Sequence, residues 1–404
     1  MNMQQYTPRG ELYDRIKRFQ EHLFKNNIDG ALILQKADLF YFSGTCQNAH
    51  LFIPVQGVPA LMVKKSLKRA MEESALENIT GQRSLDELFK TITTLCNGRG
   101  KIGLEMDVLP ANLFIKYKNS LSPLEVVDIS KIIRETRMIK SPYEIERLKV
   151  SAKMNFEMFS GVTDILREGM TEVELAGKLE ALYREKGHQG AIRMRGFNQE
   201  LFYGHLMSGW NLSYPSFFDG PTGGIGLNPS YPQGAGFKKI GVNEPIMVDY
   251  VGVYNGYMVD QARIFSIGEL SSKLVGAYET ALKIKAQIVK KALPGTNGKD
   301  LYEIADNIAA ESGYQQYFMG YEDRISFIGH GIGIELDELP VIAKDFNIIL
   351  KPGMVFALEP KFIFPNEGAV GIEDTFVVTE SGLEQITYFD EAIQTSRKPF
   401  QWHT

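Results

Sequence analysis

The sequence predicts two domains, a smaller α/β domain over residues 1–135 and a larger α+β domain over residues 136–404. Three observations carry this prediction. Helical stripes alternate with short apolar strand runs in the first third of the chain. A helix start with full capping chemistry follows near residue 141. Beyond it, a helix-helix-hairpin pattern occurs twice, and each hairpin carries two acidic residues.

In the first domain, Leu12, Ile16, Phe19 and Leu23 fall on one helical stripe. Asp29-Gly30 ends that helix, and Ala31 to Leu34 reads as a strand. Leu51 to Val55 and Ala60 to Val63 flank Gln56-Gly57 as a hairpin. A further strand, Lys101 to Leu104, follows the turn Asn97-Gly98-Arg99-Gly100. The seam near 132–142 is followed by Ser141 as N-cap, Pro142 at the first helical position and Glu144 in the first turn. Helices are expected over roughly 142–168 and 171–187, then a hairpin at 245–265. Two more helices, roughly 270–292 and 298–312, lead to a second hairpin at 354–379.

Composition excludes several function classes. A net charge of −5 argues against nucleic acid and acidic membranes as partners. Lys64-Lys65 and Lys68-Arg69 read as a solvated helix face. The N-terminal stretch has no apolar core of signal-peptide type, and no apolar run reaches the ~18 residues of a spanning helix. Cys46 and Cys96 form no CxxC pair and read as free thiols of a reducing compartment. A cytoplasmic protein is expected.

The chemistry sits in the hairpins. In IMVDYVGVYNGYMVDQARIF, Asn255-Gly256 is a strong two-residue turn signal. That loop places Val251 opposite Asp260, with Asp249 one diagonal step away, whereas a slightly longer loop would place the two Asp directly opposite; either way they share one face. Two acids among Ile246, Met247, Val248, Val251, Met258 and Val259 repel each other unless a cation lies between them. MVFALEP and GIEDTFVVTESG repeat the problem with Glu359 and Glu373, whereas Asp374 alternates to the other face. FIGHGIGIELDELP supplies His330 between Gly329 and Gly331, which would allow close backbone approach and clear a path to the imidazole. Four carboxylates and one imidazole suit Mn, Fe, Co or Zn better than Ca or Mg.

At these five residues the chain resembles the pita-bread metallopeptidases, a family that includes Xaa-Pro aminopeptidase, prolidase, methionine aminopeptidase and metal-free creatinase. VDYVGVYNGYMVDQARIFSIG, GHGIGIELDELP, MVFALEP and GIEDTFVVTESG carry the likeness. GALILQKADLFYFSGT and the junction RMIKSPYEIERLKVSA extend it to a creatinase-type N-terminal domain. The resemblance implies a creatinase-like α/β domain before a pita-bread catalytic domain. It also implies two divalent ions (Mn, Zn, Co or Fe), with Asp249 on one, His330 and Glu359 on the other, and Asp260 and Glu373 bridging. A water lowered in pKa by both ions would attack the scissile amide, and Glu359 would shuttle a proton. A homodimer acting on a small peptide or amide is expected.

The chain departs from the family pattern at three positions. Ser216 ends SGWNLSYPS where the family has a histidine, and Asp337 stands where a second histidine follows the GHGIG segment. Gly371 replaces an arginine two residues before Glu373. Asp337 is a candidate to accept a proton or bind an amine, though it cannot donate when ionised. Other candidates for substrate contact are Ser216, His205, Tyr231, the amides of Gly223 and Gly224, and Arg193 and Arg195 sharing a strand face. An Xaa-Pro dipeptidase or aminopeptidase is the first functional expectation. A metal-dependent C–N hydrolase or lyase on a small non-peptide substrate is the alternative, favoured by the two lost histidines. The segment 217–239 is longer than the family requires, as a surface insertion or a lid.

Overall fold

The computed structural model describes residues 6–96, 99–322 and 324–396. The turn residues Asn97 and Gly98, the first five residues and His403 lie outside these. The chain forms two compact units, Met1–Arg137 and Met138–Thr404.

The first unit is a six-stranded sheet flanked by helices. Its strand order is Ile79–Gly81, Ala60–Lys65, Asn48–Pro54, Gly30–Ile33, Lys101–Leu104 and Glu125–Asp128. The stripe expected from Leu12, Ile16, Phe19 and Leu23 is the buried face of the helix Arg9–Lys25. Lys64 and Lys65 are exposed as expected, but they end a strand rather than lying on a helix. The apolar run Ala60 to Val63 is buried on pairing with Asn48–Pro54, which extends that strand to its charged end. Cys46 and Cys96 are free and half-buried.

The second unit begins at the helix Pro142–Ile165. Ser141 accepts from the Glu144 amide, and the Glu144 carboxylate accepts from the Ser141 amide at 3.0 Å. This reciprocal cap satisfies two amides that the helix cannot. The helix Glu172–Glu185 follows, capped by Thr171. The pair packs on Ile246, Val248, Tyr250 and Phe265, one face of the first hairpin. Two further helices, Ser272–Lys291 and Gly298–Glu311, pack on the second half. Each half adds a strand that the duplicated pattern did not foresee. Gly204–Ser208 pairs with Ile246–Tyr254, and Phe327–Gly331 pairs with Val355–Leu358. The repeating unit is therefore two helices, a leading strand and a hairpin.

The first hairpin has the register that the two-residue loop dictates. Tyr254 lies opposite Tyr257, Val251 opposite Asp260 and Asp249 opposite Ala262. Asn255 and Gly256 have φ of 50° and 83°, the left-handed pair of a type I′ turn. With Val248 and Tyr250 packed on the helices, period two sends Asp249 and Asp260 to the opposite face. A one-residue slip would bury both acids against the helices. The second hairpin is longer than its first reading. Val355–Leu358 pairs with Asp374–Thr379, and the chain between them continues as its own ladder, Lys361–Phe364 with Gly368–Gly371. The main-chain bridge Ala262 to Glu373 stitches the two hairpins together.

Gly256→Ala should lower the unfolding free energy by about 1 kcal/mol, because the left-handed conformation strains a residue with a Cβ. Urea denaturation checks this, and an unchanged midpoint would contradict the turn's role in setting the register.

Candidate metal centre

Asp249, Asp260, His330, Glu359 and Glu373 converge between the two hairpins. His330 Nε2 lies 3.9 Å from Asp260 Oδ2, 3.9 Å from Glu359 Oε1 and 3.8 Å from Glu373 Oε1. Its Nδ1 is 2.8 Å from the Leu336 carbonyl. A proton on Nδ1 donated to that carbonyl turns the Nε2 lone pair toward the carboxylates. Gly331 fills one of the two roles expected of it, close backbone approach. A Cβ there would meet the Leu339 backbone carbonyl carbon at 2.2 Å, so the glycine admits the neighbouring strand rather than opening a path to the imidazole.

A sixth residue joins this set. Lys361, 2% exposed, points its ammonium into the acid cluster. Nζ donates to Asp249 Oδ2 at 2.7 Å, Glu359 Oε2 at 2.8 Å and Glu373 Oε2 at 2.8 Å. An ammonium has three N–H groups, and each is spent on a different carboxylate. The signal for it was present in the sequence. Glu359 and Lys361 are two apart and share a strand face, and a lysine between Pro360 and Phe362-Ile363-Phe364 has to be buried with a partner.

The acids are poised by burial and by each other. Burial pushes the Asp260 carboxyl well above its usual range, and the Glu373 and Asp249 charges add to this. Burial likewise raises Glu373 to about 7, against the pull of Lys361. Burial works to lower the Lys361 ammonium, but Asp249, Glu359 and Glu373 outweigh it and hold the pKa well above the ordinary value. The His330 imidazole is disfavoured by burial as a cation, yet Glu373, Glu359 and Asp260 hold its pKa up at about 10. Glu373 Oε1 is buried and accepts no hydrogen bond. An orphaned carboxylate oxygen facing an oriented imidazole suits a divalent cation. A four-coordinate ion about 2.1 Å from each ligand separates its donors by roughly 3.4 Å, close to the distances seen around His330 Nε2. Asp260, His330 and Glu373 each offer a donor atom within 4.8 Å of the others.

The family model for metallopeptidase family M24 matches residues 146–380, and the model for the creatinase/prolidase N-terminal domain matches residues 15–139. The chain belongs to metallopeptidase family M24. With its creatinase-type domain and pita-bread catalytic domain, it is a metallohydrolase of a family that uses divalent metal ions. A Xaa-Pro dipeptidase of Pyrococcus horikoshii is 28% identical over 376 residues, covering 93% of this chain and 97% of that protein. A Xaa-Pro dipeptidase of Lactobacillus helveticus is 25% identical, covering 94% and 98%. The crystal structure of the Pyrococcus horikoshii prolidase superposes with a TM-score of 0.77 at 26% identity, covering 93% and 99%.

Against this M24 frame, the expected substrate residues separate into groups. His205 is buried opposite Asp249, with its Nε2 3.0 Å from Gln233 Oε1. Tyr231 is half-buried, two residues from Gln233 in the same loop. Ser216 donates to the Pro232 carbonyl within the 214–234 loop. The amides of Gly223 and Gly224 both donate to the Tyr214 carbonyl at 3.0 and 2.9 Å, so they brace the loop instead of facing a ligand. Arg193 and Arg195 do not share a strand face, because residues 191–201 form no strand. Asp337 holds that segment instead. Its two oxygens accept from the Arg195 and Gly196 amides, each at 2.7 Å. Arg195 is buried with Nη1 3.6 Å from Glu335. Arg193 is half-buried, and its carbonyl accepts from the Leu336 amide.

Asp374 faces away from the centre, as alternation predicts. Fully buried, it accepts from Arg263 at 2.9 and 3.1 Å and from Lys285 at 2.5 Å. Asp374→Leu would leave the buried Arg263 without its anion and Lys285 with Glu391 alone, and should cost about 3–5 kcal/mol. Chemical denaturation of the variant measures this, and a loss below about 1 kcal/mol would show that the network contributes little.

Proposed function

We propose that this chain hydrolyses the amide bond of a small Xaa-Pro-type peptide. The observation that carries the reading is the convergence of Asp260, Glu359 and Glu373 on the oriented Nε2 of His330. A divalent cation held by these residues supplies Lewis acidity and lowers the pKa of water. The remaining work belongs to side chains. Glu359 uses Oε2 to hold Lys361 and keeps Oε1 toward His330, where it takes a proton from the attacking water and returns it to the leaving nitrogen. Lys361 spends its three protons on carboxylates, so it fixes their positions and charge and leaves substrate to other groups. His205, backed by Gln233, lies across the ladder from Asp249 and is the imidazole placed to stand in for the family's missing pair. The assembly expected from the family resemblance is a cytoplasmic homodimer.

One observation favours a second reading, a small non-peptide amide as substrate. The two positions where the family has histidines are tied to loop backbone, Ser216 to Pro232 and Asp337 to Arg195 and Gly196. Donors to a tetrahedral intermediate are worth about 2.7–4 kcal/mol each, so their absence changes what is bound well.

The test is a substrate screen of Mn-, Zn- or Co-reconstituted protein, with Xaa-Pro dipeptides first and small amides second. Glu359→Gln should lower kcat by at least about 100-fold on whichever substrate turns over, as expected for loss of a general base. Turnover of small amides alone would select the second reading. No turnover of either class would sink the hydrolytic reading.

A further inference from the structure

We propose that the Lys361 ammonium occupies one of the two cation positions of this centre, so that the enzyme binds a single divalent ion, at Asp260, His330, Glu359 and Glu373. The proposal rests on the cation-binding reading above for that one ion, and on nothing about substrate.

The first argument is spatial. Nζ sits 2.7–2.8 Å from Asp249 Oδ2, Glu359 Oε2 and Glu373 Oε2. Those oxygens surround one point, and an ion liganded at about 2.1 Å would have to sit where the nitrogen is. The other oxygens of Glu359 and Glu373, with Asp260 Oδ2, face His330 Nε2 instead. Each of the two glutamates thus divides its oxygens, one toward the ammonium and one toward the imidazole. The lysine position and the ion position are neighbours, and they share Glu359 and Glu373 as bridges.

The second argument comes from the strand opposite. Lys361 pairs with Gly371 in the ladder. A Cβ at residue 371 would lie 2.6 Å from Lys361 Cγ, 2.7 Å from its Cα and 2.6 Å from the Pro360 carbonyl oxygen. Gly371 therefore makes the room in which the lysine stem lies. The absence of a side chain there and the presence of a cation at residue 361 are two sides of one arrangement. The sequence had shown only the missing side chain.

The third argument is charge. Asp249, Asp260, Glu359 and Glu373 bring four negative charges when ionised. One ammonium and one divalent ion supply three positive charges around them, with every Lys361 proton hydrogen-bonded. A second divalent ion would have to expel an ammonium that is 2% exposed and already carries three charge-assisted bonds.

The test is metal stoichiometry. Chelator-stripped protein is reconstituted with Mn(II), freed of excess by gel filtration, and its metal counted by mass spectrometry, with circular dichroism to confirm folding. Wild type should hold one equivalent and Lys361→Gly two. Asp249→Asn provides a test that does not depend on the lysine variant folding. Asp249 touches Lys361 and not the His330 side, so this variant should keep its one equivalent with Kd changed by less than about tenfold. Two equivalents or none in the wild type overturns the proposal. So does a folded Lys361→Gly that stays at one, or an Asp249→Asn that loses its ion. One equivalent in a protein that cleaves no amide would overturn the proposed function and leave this inference standing.

Discussion

Everything in the second unit depends on keeping four carboxylates together inside apolar strands. Two unit charges ~4 Å apart repel by about 4 kcal/mol at an effective dielectric of 20, and burial adds the loss of hydration. The fold meets this constraint with an ammonium and a metal-binding imidazole placed from different elements. Lys361 comes from the second hairpin and ties Asp249 of the first hairpin to Glu359 and Glu373. His330 comes from the strand beside that hairpin. The same contacts that hold the site together hold the two halves of the domain together.

The reverse face of the strands follows the same logic with the charges exchanged. Glu373 points to the centre, and Asp374 points to Arg263 and Lys285. Arg263 also donates to the Glu373 carbonyl at 2.9 Å. Backbone that carries a ligand on one side is thus anchored by a buried ion pair on the other. Such support holds a ligand in place more tightly than a loop can. The 193–196 segment is handled likewise, with Asp337 clamping two of its amides.

Much of the fold was legible in the sequence, and for definite reasons. The Asn255-Gly256 turn fixed the register of the first hairpin, because only one loop length suits a type I′ turn. The Ser141-Glu144 box fixed the start of the long helix. Period two separated Glu373 from Asp374. The site was legible only in part. Lys361 follows a proline that reads as the end of a strand, although the strand face resumes beyond it. The loops were harder. Arg193 and Arg195 alternate like strand residues, but their backbone is set by the distant Asp337. Gly223 and Gly224 look like ligand-binding amides until the Tyr214 carbonyl is found facing them. Pairings across 9 to 142 residues of sequence leave no periodic trace.

The claim that most distinguishes this enzyme from a plain two-metal peptidase is the ammonium among the carboxylates. Anomalous diffraction at the manganese edge from Mn-soaked crystals tests it directly. One anomalous peak beside His330 Nε2, with Lys361 Nζ resolved between Asp249, Glu359 and Glu373, is the predicted result. Two peaks, with the lysine displaced from the acid cluster, would contradict it.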